Sequence, residues 1–440
     1  MDPSVIRAIY LGVFALHFAA EQALLALNLR HAASCREKPP ADALALLPAA
    51  EYDRSLRYAA ARGRLGLASN CLQAALALAL ILSGALGALQ SLWSRSPLRP
   101  ELTGIALVYT VSLIFGAGGL PFSLWGQFRI EARFGFNRMT PRMFVLDLVK
   151  GLGLSLALGT PLLYLLFFLA RRTPLWWLWA FLAASAVQLL LAVLYPRLIA
   201  PLFNRFSALP EGPLRDQVLA MAERLGFRTR GIYLMDGSRR SAHGNAYFTG
   251  LARSKRIVLF DTLVQSLSPE EVTAVLAHEI GHEKKRHVPL RLAATFVSGL
   301  AAAWLLGLAV GFAPLFRAFG FASPGAAPAA VLLMFFAGPL GVMLRPLASW
   351  VSRRQEHAAD RYAYAEAGCG ETFVQALTVL SRSNLSNPTP HPWTSFYFAS
   401  HPTVLERVRT LRETPHRRRH GQRAGRRSEM QGRGGRGPES

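Results

Sequence analysis

Cysteine is almost missing from this 440-residue sequence: Cys35, Cys71 and Cys369 are its three, widely separated and without a C-x-x-C pair. Their number and spacing exclude a disulfide framework and a thiolate metal site, so three free thiols in a reducing compartment are expected. Charged residues are also few, 17% of the chain, where soluble domains carry about a quarter. Among them acidic groups are the scarcer kind, 26 Asp and Glu against 49 Lys and Arg, for a net charge of +23. Such a balance raises nucleic acid as a partner. The basic residues, however, lie between apolar runs and in the last stretch of chain. Retention of Lys and Arg on a cytoplasmic membrane face explains them there, and no nucleic-acid partner is expected. Nor is a cleavable leader: the first apolar run follows a single basic residue, Arg7, and is too long for a leader core, so it reads as a retained span.

What the sequence has in abundance is hydrophobic residues, 52% of the chain, gathered into seven long runs. They cover approximately Val5 to Leu29, Leu65 to Trp93, Leu102 to Trp125, Leu148 to Ala170, Leu175 to Ala200, Leu290 to Leu315 and Pro328 to Trp350. About 20 apolar residues in a helix cross the roughly 30 Å of hydrocarbon in a bilayer, so seven transmembrane helices are expected. The first connection carries Arg30, Arg36, Lys38, Arg54, Arg57, Arg62 and Arg64, and the third Arg129, Arg133, Arg138, Arg142 and Lys150. The even connections are short and hold only one or two basic residues, such as Arg171 and Arg172. The N-terminus is therefore expected outside, with the odd loops and the C-terminus in the cytoplasm.

This pattern divides the chain. Residues 1–200 hold spans one to five with basic loops, and 290–350 hold spans six and seven. Segments 201–289 and 351–414 are expected to build one cytoplasmic α+β domain from two pieces. Within the first, Pro213 to Leu225 is amphipathic, while Gly231 to Met235 and Arg256 to Phe260 read as strands. Ser268, Pro269 and Glu271 form a capping box that opens a helix. Residues 415–440 are rich in Arg and Gly and poor in apolar side chains. They are expected to be disordered, either adhering to anionic head groups or simply solvated.

On the capped helix stands His278-Glu279-Ile280-Gly281-His282. Two His four apart share a helical face and reach one tetrahedral cation, and Glu279 beside them is placed to take a proton from water at the metal. The apolar run Val275-Leu276-Ala277 before the motif buries this helix, and burying two His and a Glu without partners is costly. His287, about half a turn round the helix from His278, is expected to face away. Glu283 is expected to be solvated, and Lys284-Lys285-Arg286 to anchor the membrane boundary. A third ligand is needed, and no His lies at the spacing of the H-E-x-x-H-x-x-G-x-x-H class. Glu356 and Asp360, one helical turn apart with small Ala358 and Ala359 between, suit a ligand and a carboxylate that orients an imidazole.

These residues, together with several others in order, resemble the type I CAAX prenyl proteases, integral-membrane zinc metalloendopeptidases of the gluzincin class. The resemblance extends over Phe134 to Thr140 with Asp147 and Lys150, Tyr195 to Phe206, His243 to Gly250, Arg256 to Leu263, the E-x-x-A-D element, and Ser400-His401-Pro402 with Arg407. It covers about residues 1–412, with Gly244 where the family pattern has Ser. It implies a mainly α membrane protein whose seven helices enclose a water-filled chamber, plus a zincin-like α+β metallopeptidase domain. One Zn2+ per chain would be held by His278, His282 and Glu356, with Glu279 as base and Asp360 supporting the site beside Arg407. His401 and Asn245 become candidates for stabilising the oxyanion, His401 serving otherwise as a structural cap. Asn245, Ala246, Tyr247 and Phe248 would form an edge strand receiving substrate backbone. His17 and Glu21 inside the first span fit the chamber, or else a place near the outer head groups.

The implied substrate is a peptide or protein cut after a prenylated C-terminal Cys. A quality-control endopeptidase acting on unmodified membrane proteins, or a non-catalytic scaffold that binds polypeptides, are the alternatives. The expected location is the inner membrane in a bacterium and the endoplasmic reticulum in a eukaryote.

Overall fold

A computed structural model describes residues 1–249 and 255–413. The basic tail at 415–440, residue 414 and Gly250 lie outside the described residues. Among these residues seven helices are long and apolar enough to cross a membrane. Helix α1 runs over Pro3–Glu37, opened by the Asp2 side chain accepting from Ser4 N at 2.8 Å and by Pro3 in its first turn. Its 35 residues measure about 52 Å at 1.5 Å per residue, against an apolar layer of about 30 Å, so its basic end projects beyond the hydrocarbon.

Helix α2, Ala49–Leu82, does the same at its beginning. Arg54, Arg57, Arg62 and Arg64 therefore ride on a helix rather than in a loop. The second apolar run is also interrupted. Gly84 adopts φ +76, and the chain restarts as α3, Ala85–Ser94. A Cβ at Gly87 would lie 2.0 Å from Gly320 O, so only glycine lets α3 approach that turn.

Helices α4, Pro100–Trp125, with a π turn over Gly126–Glu131, and α5, Pro141–Ala170, follow, then α6, Trp176–Leu194. The sixth span is α9, His287–Val310, and the seventh belongs to α10, Ala326–Arg361. Inside the bundle Tyr10, Ile81, Leu86, Val111, Phe316 and Phe335 pack together, and the Tyr10 hydroxyl donates to Phe335 O at 3.1 Å. Leu156, Leu189, Leu300 and Leu344 are exposed, as apolar side chains in contact with lipid can be. His17 and Glu21, 3.9 Å apart, face a cavity of about 180 Å³ that Asn70 and Gln73 also line.

The polar segments form a small sheet and its helices. Strands β1 (Phe206–Ala208), β2 (Ile232–Met235), β3 (Ala246–Thr249) and β4 (Arg256–Phe260) stand in the order β1-β2-β4-β3. Strands β2 and β4 are parallel, and β3 joins β4 antiparallel at the sheet edge. Four helices share one core with this sheet: α7, Pro213–Arg224; α8, Pro269–Lys284; α11, Gly370–Ser383; and α12, Val404–Glu413. Their shared core includes Val218, Ile257, Leu259, Leu276, Ile280, Phe373 and Leu411, all nearly inaccessible.

This domain is tied to the bundle by specific contacts. Arg240 forks onto Asp147 of α5 at 2.9 and 3.1 Å, and the Phe136 and His243 rings stack 3.9 Å apart. Helix α10 makes a further link, because its 36 residues run without a break from the membrane into the core of the polar domain.

Candidate metal centre

Helix α8 forms where its sequence asks for one: Ser268 Oγ accepts from Glu271 N at 3.2 Å, and Glu271 accepts from Ser268 N at 2.8 Å. On this rigid base His278 Nε2 and His282 Nε2 lie 3.2 Å apart. Helix α10 crosses α8 at Gly281, where a Cβ would meet Ala359 Cα, Ala359 O and Tyr362 Cβ, each at 3.1 Å. The missing side chain allows that approach, and it carries Glu356 to the imidazoles. Glu356 Oε2 is 3.4 Å from His278 Nε2, and Oε1 is 3.3 Å from His282 Nε2. Four donors at about 2.0–2.1 Å around a tetrahedral ion stand about 3.3–3.4 Å from one another. The imidazole pair matches that spacing, each imidazole meets its own oxygen of Glu356 at a similar distance, and one ligand atom from each of the three residues lies within 4.8 Å of the others, so this set is suited to a divalent cation.

Electrostatics agree. Glu356 is only 2% exposed, and a buried carboxylate is stable only when paired or bound to a cation. Burial lowers the proton affinity of His278, but the Asp360 and Glu356 carboxylates beside its ring more than offset it and raise its pKa to about 9. The carboxylates around this ring favour positive charge. Burial pushes the Glu279 carboxyl above its ordinary pKa, against the pull of His278 and His282.

Behind the donors, Asp360 Oδ1 stands 2.9 Å from His278 Nδ1, and Arg407 grips Asp360 through Nε at 2.8 Å and Nη2 at 2.5 Å. This chain of contacts turns His278 Nε2 toward the centre. His401 Nδ1 meets Glu356 Oε2 at 2.9 Å while its side chain stays 64% exposed. Asn245 directly precedes β3; its Oδ1 accepts from Ala246 N at 2.8 Å, and its carbonyl accepts from Phe260 N at 3.0 Å. Ala246, Tyr247 and Phe248 lie on the edge strand itself.

Two expectations fail. His287 does not face away, because α8 ends at Lys284 and Arg286 takes a left-handed φ of 57. The break swings His287 back until its Nδ1 is 2.9 Å from His282 Nδ1, so helical periodicity does not extend to it. Glu283 is not simply solvated either; it accepts an ion pair from Lys255, beside β4. Other contributors carry no motif. Arg291 holds Gln355 Oε1 through Nε at 2.5 Å, and Asn384 Oδ1 accepts from Gly244 N at 3.1 Å, pinning the approach to β3. Only Pro289, soon after the basic run, hinted that the helix would end.

Two histidines one turn apart with a Glu between them, joined by a carboxylate from a helix that leaves the membrane, define an integral-membrane metalloendopeptidase. Comparison with known proteins gives the family. Residues 28–205 match the model for the CAAX prenyl protease N-terminal, five membrane helices, and residues 208–415 match Peptidase family M48. The chain is 36% identical to CAAX prenyl protease 1 homolog of Arabidopsis thaliana, over 69% of this chain and 74% of that protein. It is 38% identical to CAAX prenyl protease 1 of Saccharomyces cerevisiae, over 66% and 68%. Against CAAX prenyl protease 1 homolog of Homo sapiens identity is 31%, over 71% and 74%. The crystal structure of S. mikatae Ste24p superposes with a TM-score of 0.86 at 29% identity, covering 92% of this chain and 99% of that one. The chain belongs to the CAAX prenyl protease family within peptidase family M48.

Proposed function

We propose that this protein is a zinc endopeptidase that trims C-terminally prenylated peptides at the cytoplasmic membrane surface. The observation that carries the reading is the donor triangle of residues His278, His282 and Glu356, in which the imidazole nitrogens stand 3.2 Å apart and each meets its own oxygen of Glu356 at 3.3 to 3.4 Å, with Glu279 adjoining it. Two imidazoles and one carboxylate with an open fourth position form the donor set of catalytic zinc. When bound, zinc would polarise the scissile carbonyl and bring its water toward a neutral pKa. Glu279 takes the proton from the attacking water and delivers it to the leaving amine. Asp360, held by Arg407, keeps the His278 tautomer with Nε2 inward. His401 steadies Glu356 and, with Asn245, is the candidate donor to the oxyanion. Residues 245–248, at the free edge of the sheet, receive the substrate backbone as an added strand.

Prenyl specificity is supported by the relatives, which carry the name CAAX prenyl protease 1. The cytoplasmic placement is supported by Arg-rich connections on the face that bears the sheet. Glu279→Gln tests the chemistry. The variant should retain zinc in the ratio of the wild type while turnover falls on the order of 10²–10⁴-fold; equal turnover would end the enzymatic reading. Farnesylated and unmodified versions of one peptide test the substrate. Equal hydrolysis of both would replace prenyl processing with general endoproteolysis of membrane proteins.

A further inference from the structure

Away from the metal centre, α2 and α4 open an exposed groove of about 960 Å³ where both helices reach the polar end of the bundle. Its wall includes Leu65, Phe122 and Trp125, and its rim Arg64, Arg129 and Arg133. This end carries the peptidase domain: Phe134, next to the rim, packs in one cluster with Ala242 and Leu385. The wall continues into the spans, and Trp125, 57% exposed, sits where aromatic side chains meet lipid head groups. At Gly126 the helix widens into the π turn, and a Cβ there would come 3.3 Å from Leu65, so α2 closes the floor.

The three rim arginines differ from their neighbours. Arg36 and Arg57 share Asp53, and Arg62 pairs with Glu131 at 3.4 Å. Glu131 is further occupied by the Tyr58 hydroxyl at 2.7 Å and His243 at 3.4 Å. Arg64, Arg129 and Arg133 enter no ion pair among the described residues. Three guanidinium groups without a carboxylate partner among the described residues line this one groove, and each offers a planar fork matched to phosphate.

We propose that this groove binds an anionic diacyl phospholipid, with its phosphate among Arg64, Arg129 and Arg133 and an acyl chain along Leu65, Phe122 and Trp125. An acidic peptide or free phosphate would satisfy the rim and leave the apolar wall bare. A neutral lipid would cover the wall and leave three cations without an anion. Only a ligand with both parts satisfies both halves.

The test uses full-length protein in phosphatidylcholine nanodiscs containing increasing phosphatidylglycerol, with bound lipid read by native mass spectrometry. Wild type should retain phosphatidylglycerol over phosphatidylcholine. The triple variant Arg64→Gln, Arg129→Gln and Arg133→Gln should weaken that retention on the order of a hundredfold, from the usual attraction per basic side chain at an anionic membrane. Its melting temperature in pure phosphatidylcholine should match that of the wild type. Should the triple variant fold poorly, Arg129→Gln alone should weaken retention roughly fivefold. Unchanged retention in either variant would overturn the site. Competition by glycerol 1-phosphate equal to that by the whole lipid would overturn the acyl wall. Displacement by a farnesylated peptide would reassign the groove to substrate.

Discussion

Gly281 shows how a single missing side chain organises chemistry. An alanine there gains about 1 kcal/mol of helix propensity, yet its Cβ would press on Ala359 and Tyr362 at 3.1 Å. Overpacking of this kind costs about 1–3 kcal/mol. Two of the three opposing atoms are backbone, so relief requires α10 to move, and Glu356 moves with it. Gly281→Ala is therefore expected to lower both the melting temperature and the bound zinc per chain, which differential scanning fluorimetry and elemental mass spectrometry will read together. His287 acts on the other ligand. Its Nδ1 lies 2.9 Å from His282 Nδ1, which points His282 Nε2 at the donor triangle. Loss of such an orienting partner usually costs 10–100-fold in metal affinity. His287→Ala should show that loss in competition with a chelator while the far-ultraviolet circular dichroism is unchanged.

Among the elements, α10 has the most demanding task. It begins in the membrane at Ala326 and ends at Arg361, past Glu356 and Asp360, so membrane insertion and ligand presentation share one rigid rod. One alanine inserted after Val351 rotates everything beyond it by about 100° and advances it about 1.5 Å. Glu356 then leaves the triangle and Asp360 leaves His278. The insertion mutant should insert in the membrane normally yet purify without zinc. Full zinc occupancy would mean that Glu356 is not a ligand. Strand β3 has the opposite character, four residues paired, among the described residues, with β4 alone.

On the scale of the molecule, two solvents act on one chain. The bundle is held by an apolar cluster rich in aromatic rings; the peptidase domain is held by its own core, to which a cation bound at His278, His282 and Glu356 would add. Chelation should therefore abolish cleavage and lower the melting of the domain while total helix content stays nearly constant, and added zinc should restore both. Seven spans also put the two ends on opposite faces. Single cysteines at Ser4 and Arg412, in a variant free of the native thiols, should react with an impermeant maleimide from opposite sides of sealed vesicles. Labelling of both from one side would contradict the span count.

Much of this was legible from residue order because its causes are local or periodic. Apolar runs of about 20 residues announce spans whatever their neighbours are, and the Ser268 capping box and the His278–His282 spacing each depend on one helical turn. Tertiary structure decided what depends on approach between distant segments: the continuation of α10 past Trp350, the break at Gly84, the return of His287, and the ion pair of Glu283 with Lys255. Pattern reading extends a helix until a strong breaker appears. Whether a helix ends at Arg286 or runs on through residue 350 is settled by what packs against it, and that information is spread over contacts hundreds of positions apart.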